Sequence, residues 1–190
     1  MTKATAKVTL SERLHWNDFI KPWLVRLLFV GIGLLIGLYI LAPQQTRAGE
    51  SYLPDTFTNM PTGSIQVTNL EGVNTFLPVR IADTTTFRSN SFRGVGPVAL
   101  DNSFLLYALT RETSRQTSYQ LNNVRVPLEL AIIEAEGQVV ALQEVPLGSE
   151  RFSVAENHRW ILAAKAGTLA AYGITIDSVL DPESVQKLNF

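Results

Sequence analysis

The sequence predicts a mainly β domain, a compact barrel or sandwich with one short helix, preceded by a single transmembrane helix. Residues 27–42 are sixteen consecutive residues without a charge, which is typical of a membrane span. After residue 63, short segments rich in β-branched residues alternate with turn residues, as expected of strands. One segment of this region, residues 167–173, ends at a glycine, which suits the end of a short helix.

The N-terminal segment predicts the topology. Residues 1–22 are expected to form a basic cytoplasmic arm, because residues 1–26 carry five basic and two acidic side chains, a net charge of +3. The apolar run from Leu27 to Ala42 is the predicted contact with the membrane. Extended back to Trp23, it gives an anchor over residues 23–42 that is about 30 Å long and matches the hydrocarbon core. By the positive-inside rule, the chain beyond the anchor lies on the far side of the membrane.

A cleaved signal peptide is the alternative to an anchor, with a cleavage site at Thr46-Arg47-Ala48. The long arm and long apolar run favour an uncleaved anchor. In either case the domain is exported, to the periplasm, to an organelle or thylakoid lumen, or to the extracellular space. Gly33 and Gly37 have the spacing of closely associating membrane helices, although glycine is common in membrane helices generally.

Residues 43–63 contain three prolines and no sustained periodicity, so they are predicted as an extended linker to a β-rich domain over residues 64–190. Within that domain, residues 88–102 and 110–117 are expected to be loops, and residues 134–137 a hairpin turn. In residues 126–133, period-two alternation places Val126, Leu128, Leu130 and Ile132 on the core face and leaves the other face at least half open. The predicted strands are 64–69, 75–83, 103–109, 126–133, 139–145, 159–164 and 174–180.

Several classes of function are disfavoured by the composition. The chain has no cysteine and two histidines, His15 in the arm and His158 in the domain, so no zinc site or other metal centre is expected. Residues 27–190 carry eleven basic and fifteen acidic side chains, a balance that disfavours nucleic-acid binding. The motif "GVGPVA" at 94–99 matches a dinucleotide fingerprint but lies in a predicted loop. We therefore expect no cofactor and no enzymatic activity.

A polar cluster precedes the strand at residues 126–133 and is the main candidate for binding a ligand or partner. Asparagine side chains commonly bond loop backbone, and an acid between two leucines is commonly solvated, so a structural role competes with binding at these positions. The candidate residues are Arg93, Gln120, Asn122, Asn123, Arg125, Glu129 and His158.

Four segments of the domain follow a recognisable order. They are "VRIADTTTFRSNSF", "DNSFLLYAL", "NNVRVPLELAIIEAEGQVVAL" and "RWILAAKAGTLAAYGI". This order resembles the bacterial and archaeal family called domain of unknown function 192, whose Asn-x-x-x-Pro-Leu-Asp strand and hairpin are most similar to the third segment. The resemblance covers about the last two thirds of the chain and implies a fold more than an activity, because the family has no settled activity.

The departures from that family include most of its characteristic polar positions. Of the Trp-Met-Lys-Asn pattern before the strand, only Asn123 is kept, and Glu129 stands where the family has Asp. Ser91, Phe92 and Arg93 replace a Gly-Leu-Met pattern, and Ala163 replaces an acid. The resemblance thus implies a scaffold without the family's ancestral site.

The sequence as a whole predicts a membrane-anchored, non-catalytic binding or scaffold module on the exported side, such as an accessory subunit of a membrane protein complex. The alternative is an exported small-ligand-binding protein or hydrolase that uses the loops of residues 88–125.

Overall fold

A computed structural model describes residues 30–32, 50–113 and 116–186, with the side chain of residue 186 excepted. The chain divides into two units, residues 1–47 and residues 48–190. Residues 30–32 are helical. The rest of the predicted arm and anchor, Gly33, Gly37 and the alternative cleavage site lie outside the described residues. Within the described ranges, no helix has the length and apolar character needed to cross a membrane.

The described part of the second unit contains nine strands and four short helices. The helices are α1 (Asp55–Thr58), α2 (Thr85–Asn90), α3 (Thr168–Ala171) and α4 (Pro182–Gln186). The strands are β1 (Thr62–Thr68), β2 (Asn74–Ala82), β3 (Phe104–Thr113), β4 (Thr117–Gln120), β5 (Leu128–Ile133), β6 (Val139–Val145), β7 (Arg151–Val154), β8 (His158–Lys165) and β9 (Val179–Leu180).

Seven strands form one sheet in the order β6-β5-β8-β3-β2-β1-β9, and β4 and β7 form a separate two-stranded sheet. The β2–β3 pair is parallel, whereas the other pairs in both sheets are antiparallel. A parallel pair needs a crossover connection, and residues 83–103, which include α2, provide it.

The large sheet curls until its two edge strands meet at one end. The Leu180 amide donates to the Gly137 carbonyl at 2.8 Å, and the Val139 amide donates to the Ser178 carbonyl at 2.8 Å. Gln138 and Val179 form a bridge between these segments. The sheet is therefore a curled half-barrel, and the mainly β fold class is confirmed.

Both faces of the central strands are buried, because alternate residues enter two different cores. The inner core contains Ile65, Val67, Phe104, Leu106, Trp160, Leu162 and Leu180, with residues from both edges of the curled sheet. The outer core lies between the sheet and the covering segments, and includes Phe57, Phe92, Leu105, Tyr107, Tyr119, Leu130, Phe152 and Ile161.

Strand β5 shows the result of this double coverage. Val126, Leu128, Leu130 and Ile132 belong to the outer core, as the period-two alternation predicts. The expectation of a half-open second face is wrong, because Ala131 and Ile133 are buried in the inner core. Only Glu129 and the exposed Pro127 keep this face partly accessible.

Several elements differ from the sequence prediction. β3 continues to Thr113 through the polar run predicted as a loop, and β4 and β7 were not predicted. Of the predicted strand at 174–180, only the last two residues pair. The described residues of this unit form four short helices in place of one. In α2, the Thr84 hydroxyl accepts a hydrogen bond from the Phe87 amide at 3.2 Å, a helix cap between the predicted strand at 75–83 and the predicted loop at 88–102.

The described part of the predicted linker packs against the domain instead of forming a free tether. Phe57 and Met60 are buried in the outer core. The Arg80 side chain donates to the Phe57 and Thr58 carbonyls, each at 3.0 Å, and its guanidinium lies over the Phe57 ring. Burial of two large apolar side chains explains why this segment folds back on the sheet.

Candidate functional site

A large cleft lies between α2, the outer end of β3 and β4. Its volume is about 1280 Å³. It is lined by Thr85, Arg88, Ser89, Leu109, Thr110, Arg111, Glu112, Thr113, Thr117, Ser118, Tyr119 and Gln120. Seven of these twelve residues carry a hydroxyl group, so the lining offers many hydrogen-bond donors and acceptors.

A second cleft of about 590 Å³ adjoins the first, and the two share Ser118 and Gln120. The second is lined by Ser118, Gln120, Leu121, Asn122, Asn123, Glu150 and Arg151. The two clefts together are called the polar groove below. It is the candidate binding site.

Strand β4 separates the groove from the outer core by alternation of its side chains. Ser118 and Gln120 are exposed, whereas Tyr119 between them is buried. The Tyr119 ring stacks on Phe152 at 4.9 Å between ring centroids and meets Tyr107 edge-on at 5.7 Å. This packed aromatic group forms a firm support for the polar side of the strand.

Tyr119 and His158 form a buried polar pair beneath the groove. The Tyr119 hydroxyl lies 2.7 Å from His158 Nε2, and His158 Nδ1 lies 2.8 Å from the Glu156 carbonyl oxygen. A carbonyl only accepts, so Nδ1 carries the proton; in the neutral ring, Nε2 then accepts from Tyr119. Burial raises the pKa of Tyr119 to about 12, with a smaller opposing effect from Arg88.

A second buried tyrosine holds the loop after α2. The Tyr107 hydroxyl donates to the Ser91 hydroxyl at 2.7 Å, and burial raises the pKa of Tyr107. Ser91 has a φ of 35°, a left-handed conformation that a non-glycine residue rarely adopts. The hydrogen bond to Tyr107 helps to hold this unfavourable backbone.

Arg88 is the most buried of the basic residues that line the groove. It is half-buried, and its Nη1 donates to the carbonyls of Asp83 and Ala108, the latter at 3.2 Å. Its Nη2 donates to the Thr85 hydroxyl at 3.4 Å. A guanidinium has five N–H donors, so two remain without a protein acceptor among the described residues. The ion pair found within those residues is Lys165–Asp101, so Arg88 has no carboxylate partner there.

Three of the predicted site residues lie in the groove. They are Gln120, Asn122 and Asn123. The Asn122 amide group donates to the Ser89 carbonyl at 3.2 Å, and the Asn123 carbonyl accepts from the Gly94 amide at 3.2 Å. Asn123 has a φ of 52°, which asparagine tolerates better than most residues. These asparagines therefore also connect their own loop, between β4 and β5, to α2 and to the turn that follows α2.

The other predicted residues lie elsewhere. Arg93 and Arg125 are exposed and line neither cleft. The half-buried carboxylate of Glu129 accepts a hydrogen bond from the Leu169 amide at the start of α3. His158 begins β8 and is fully buried. Of Arg93, Asn123, Glu129 and His158, only Asn123 reaches the groove.

The chemistry available in the groove is that of hydrogen bonding and charge recognition. No group of three or more His, Asp or Glu side chains suited to a metal ion occurs in the described part of the chain. His158 is the only histidine among the described residues, and it lines neither cleft. Its side chain is hydrogen-bonded to Tyr119, which does line the groove. The arrangement can bind and orient a polar ligand.

Sequence reasoning missed Arg88, Arg111 and Tyr119. The alternation of polar and aromatic residues in "TSYQ" could have revealed β4 and its buried tyrosine. No comparable local signal exists for Arg88, since its acceptor on β3 lies twenty residues away in sequence.

Comparison with known proteins defines the fold. No protein-family description matches the sequence, and no curated protein is significantly similar to it. A crystal structure from Sinorhizobium meliloti 1021, of a "putative transcription regulator", matches 64% of this chain and 94% of its own, with a TM-score of 0.57 and 18% identity. A protein of unknown function from Novosphingobium aromaticivorans DSM 12444 matches 70% of this chain and 96% of its own, with a TM-score of 0.55 and 16% identity. At such identities the likeness extends to the fold alone.

Proposed function

We propose that this chain is a membrane-tethered, non-catalytic binding module on the exported side, which uses the polar groove to hold another protein of a membrane complex. The observation that carries this proposal is the groove itself, with Arg88 on its lining. A half-buried guanidinium with two donors that no described residue accepts favours a ligand that supplies acceptors, because hydrogen bonds to charged groups are stronger than neutral ones.

The sequence supports the tether through the apolar run of residues 27–42 and its basic arm, which together suit a single-pass anchor with the N-terminus in the cytoplasm. The non-catalytic role is supported by the dispersal of the candidate catalytic groups. His158 is enclosed under Tyr119, and Glu129 is engaged at the start of α3. A general acid or base must come within hydrogen-bond reach of its substrate.

The resemblance to domain of unknown function 192 fits the same proposal. The apolar positions of the four similar segments supply the sheet, whereas most of the family's polar positions are replaced. We infer that the chain is a degenerate relative that kept the scaffold and acquired the groove residues Arg88 and Ser118 as its own binding surface.

The test is to isolate partners of the full chain from gently solubilised membranes of the organism that carries it. Ser118→Arg places a bulky side chain in the groove, and Ser64→Arg is the matched control, since Ser64 is also exposed in a strand but lines neither cleft. The expected result is a partner that is recovered with the wild type and the control and is lost with Ser118→Arg. Equal recovery with all three proteins would contradict the proposal.

Small-ligand binding is the second candidate, because residues 88–125 contribute most of the groove lining. Native mass spectrometry of the purified chain separates the two candidates. A bound small molecule that is absent from Ser118→Arg would favour this function over protein binding.

A further inference from the structure

Three large exposed apolar side chains surround the point where the chain enters its compact unit. Tyr52 is 55% exposed, Leu53 39% and Val98 49%. Backbone hydrogen bonds join the two segments that carry these side chains: the Gly96 amide donates to the Tyr52 carbonyl at 2.8 Å. The Val98 amide donates to the Glu50 carbonyl at 2.9 Å.

The backbone beneath the patch is fixed to the domain. Phe57 and Val95, which follow and precede the patch residues in sequence, are both buried in the outer core. The Val95 amide donates to the Phe92 carbonyl at 3.1 Å. The three apolar side chains are therefore presented to solvent by a packed framework, although their burial would be favourable.

The position of the patch in the chain indicates what covers it. Seven residues separate Ala42, the end of the predicted anchor, from Glu50. Even fully extended, this segment reaches only about 28 Å. A domain of about 140 residues is roughly 35–40 Å across, so an anchor at residues 23–42 would keep Glu50 away from the side of the domain that is farthest from the bilayer.

We propose that Tyr52, Leu53 and Val98 form a membrane-contact patch that rests in the interfacial layer of the bilayer to which the chain is tethered. This inference rests on the anchored function proposed above. Tyrosine favours this layer because its ring is apolar and its hydroxyl is polar, and leucine and valine insert their side chains at the boundary between headgroups and acyl chains.

Three side chains are too few to hold a free domain on a membrane. A tether changes this, because it makes the contact intramolecular and gives the patch a high effective concentration at the surface. The contact then serves to orient the domain, and with it the polar groove, relative to the membrane plane.

The absence of cysteine from the chain allows a site-specific test. The full chain is reconstituted into phosphatidylcholine vesicles as Val98→Cys, with a fluorophore on the thiol. Leu147→Cys and Leu70→Cys are the controls, since these positions are 62% and 68% exposed and lie outside the patch. Lipids with a nitroxide near the headgroup serve as the quencher. Alkaline extraction of the same vesicles measures anchoring separately.

The expected result is that the chain resists extraction and that the label at Val98→Cys is quenched at least roughly twofold more than either control, as for a side chain at the headgroup boundary. Equal quenching in a chain that resists extraction would overturn the patch and leave the anchor intact. Loss of the chain on extraction would overturn the anchored function and the patch together. Protection of Val98→Cys from an aqueous quencher without lipid quenching would show a protein cover and also overturn the proposal.

Discussion

The hydroxyl of Tyr119 lies 2.7 Å from Nε2 of His158, and both side chains are buried beneath the polar groove. The pair links β4 of the small sheet to β8 of the half-barrel. It therefore fixes the strand that carries Ser118 and Gln120 on the sheet beneath it.

Tyrosine ionisation should report this burial. The pKa of Tyr119 is raised from 10.0 to about 12, and that of Tyr107 is also raised. Because the folded state disfavours the phenolate, this stability contribution is present below pH 10 and is lost as the pH rises towards 12. In the fragment of residues 48–190, absorbance at 295 nm should show two tyrosines that ionise late, and only one in Tyr119→Phe. Ionisation of all tyrosines near pH 10 in the folded protein would contradict the buried pair.

Closure of the half-barrel should depend on the lack of a side chain at Gly137. A Cβ there would lie 2.0 Å from the Leu180 carbonyl oxygen, and the residue has a φ of 95°. Gly148 has a φ of 85° with no atom within 4 Å of such a Cβ, so Gly148→Ala should cost only about 1–2 kcal/mol of unfolding free energy. Gly137→Ala should add roughly 1–3 kcal/mol of overpacking. Urea unfolding of residues 48–190 gives both values, and equal costs would contradict the closure.

Truncation of the outer core should be costly where a side chain is enclosed. Leu130 is fully buried in β5, whereas Leu142 on the neighbouring strand is 44% exposed. Leu130→Ala should reduce the unfolding free energy by about 2–5 kcal/mol, and Leu142→Ala by much less, close to the ~0.5 kcal/mol of surface substitutions. Urea unfolding measures both changes. A loss below about 1 kcal/mol at Leu130 would conflict with its burial.

Glu129 should stabilise the domain through α3. Its carboxylate accepts from the Leu169 amide, so Glu129→Ala should cost about 1 kcal/mol, the typical value of a helix-capping interaction. Glu144 is the direct cross-strand partner of Glu129 and is exposed, and like charges in this position repel. Glu144→Ala should therefore leave the thermal unfolding temperature unchanged or raise it. A fall with Glu144→Ala as large as that with Glu129→Ala would argue against the cap.

The sequence predicted the strands whose local pattern is strong and missed those whose pattern is short. "VPLELAII" and "VVALQEV" are rich in β-branched residues around a glycine turn, so their hairpin was predicted. β4 and β7 have four residues each. Their buried residues, Tyr119 and Phe152 among them, become apparent only when the two strands pair.

The candidate site was predictable only in part for a related reason. Gln120, Asn122 and Asn123 lie within four consecutive residues, so a polar cluster was visible in the sequence. Arg88 lies on α2, about 30 residues before Ser118 on β4, and no local sequence pattern shows that the two residues line one groove. Burial of His158 was unpredictable in the same way, because its partner Tyr119 lies 39 residues earlier.

The binding role of the polar groove is tested most directly by photo-crosslinking in intact membranes of the organism that carries the chain. A photoreactive amino acid replaces Ser118 in one variant and Ser64 in the other, both at full length. The expected result is a discrete crosslinked product from position 118 that is absent from position 64 and is lost when Arg88→Gln is added to the first variant. No product from position 118, or the same product from both positions, would contradict binding in the groove.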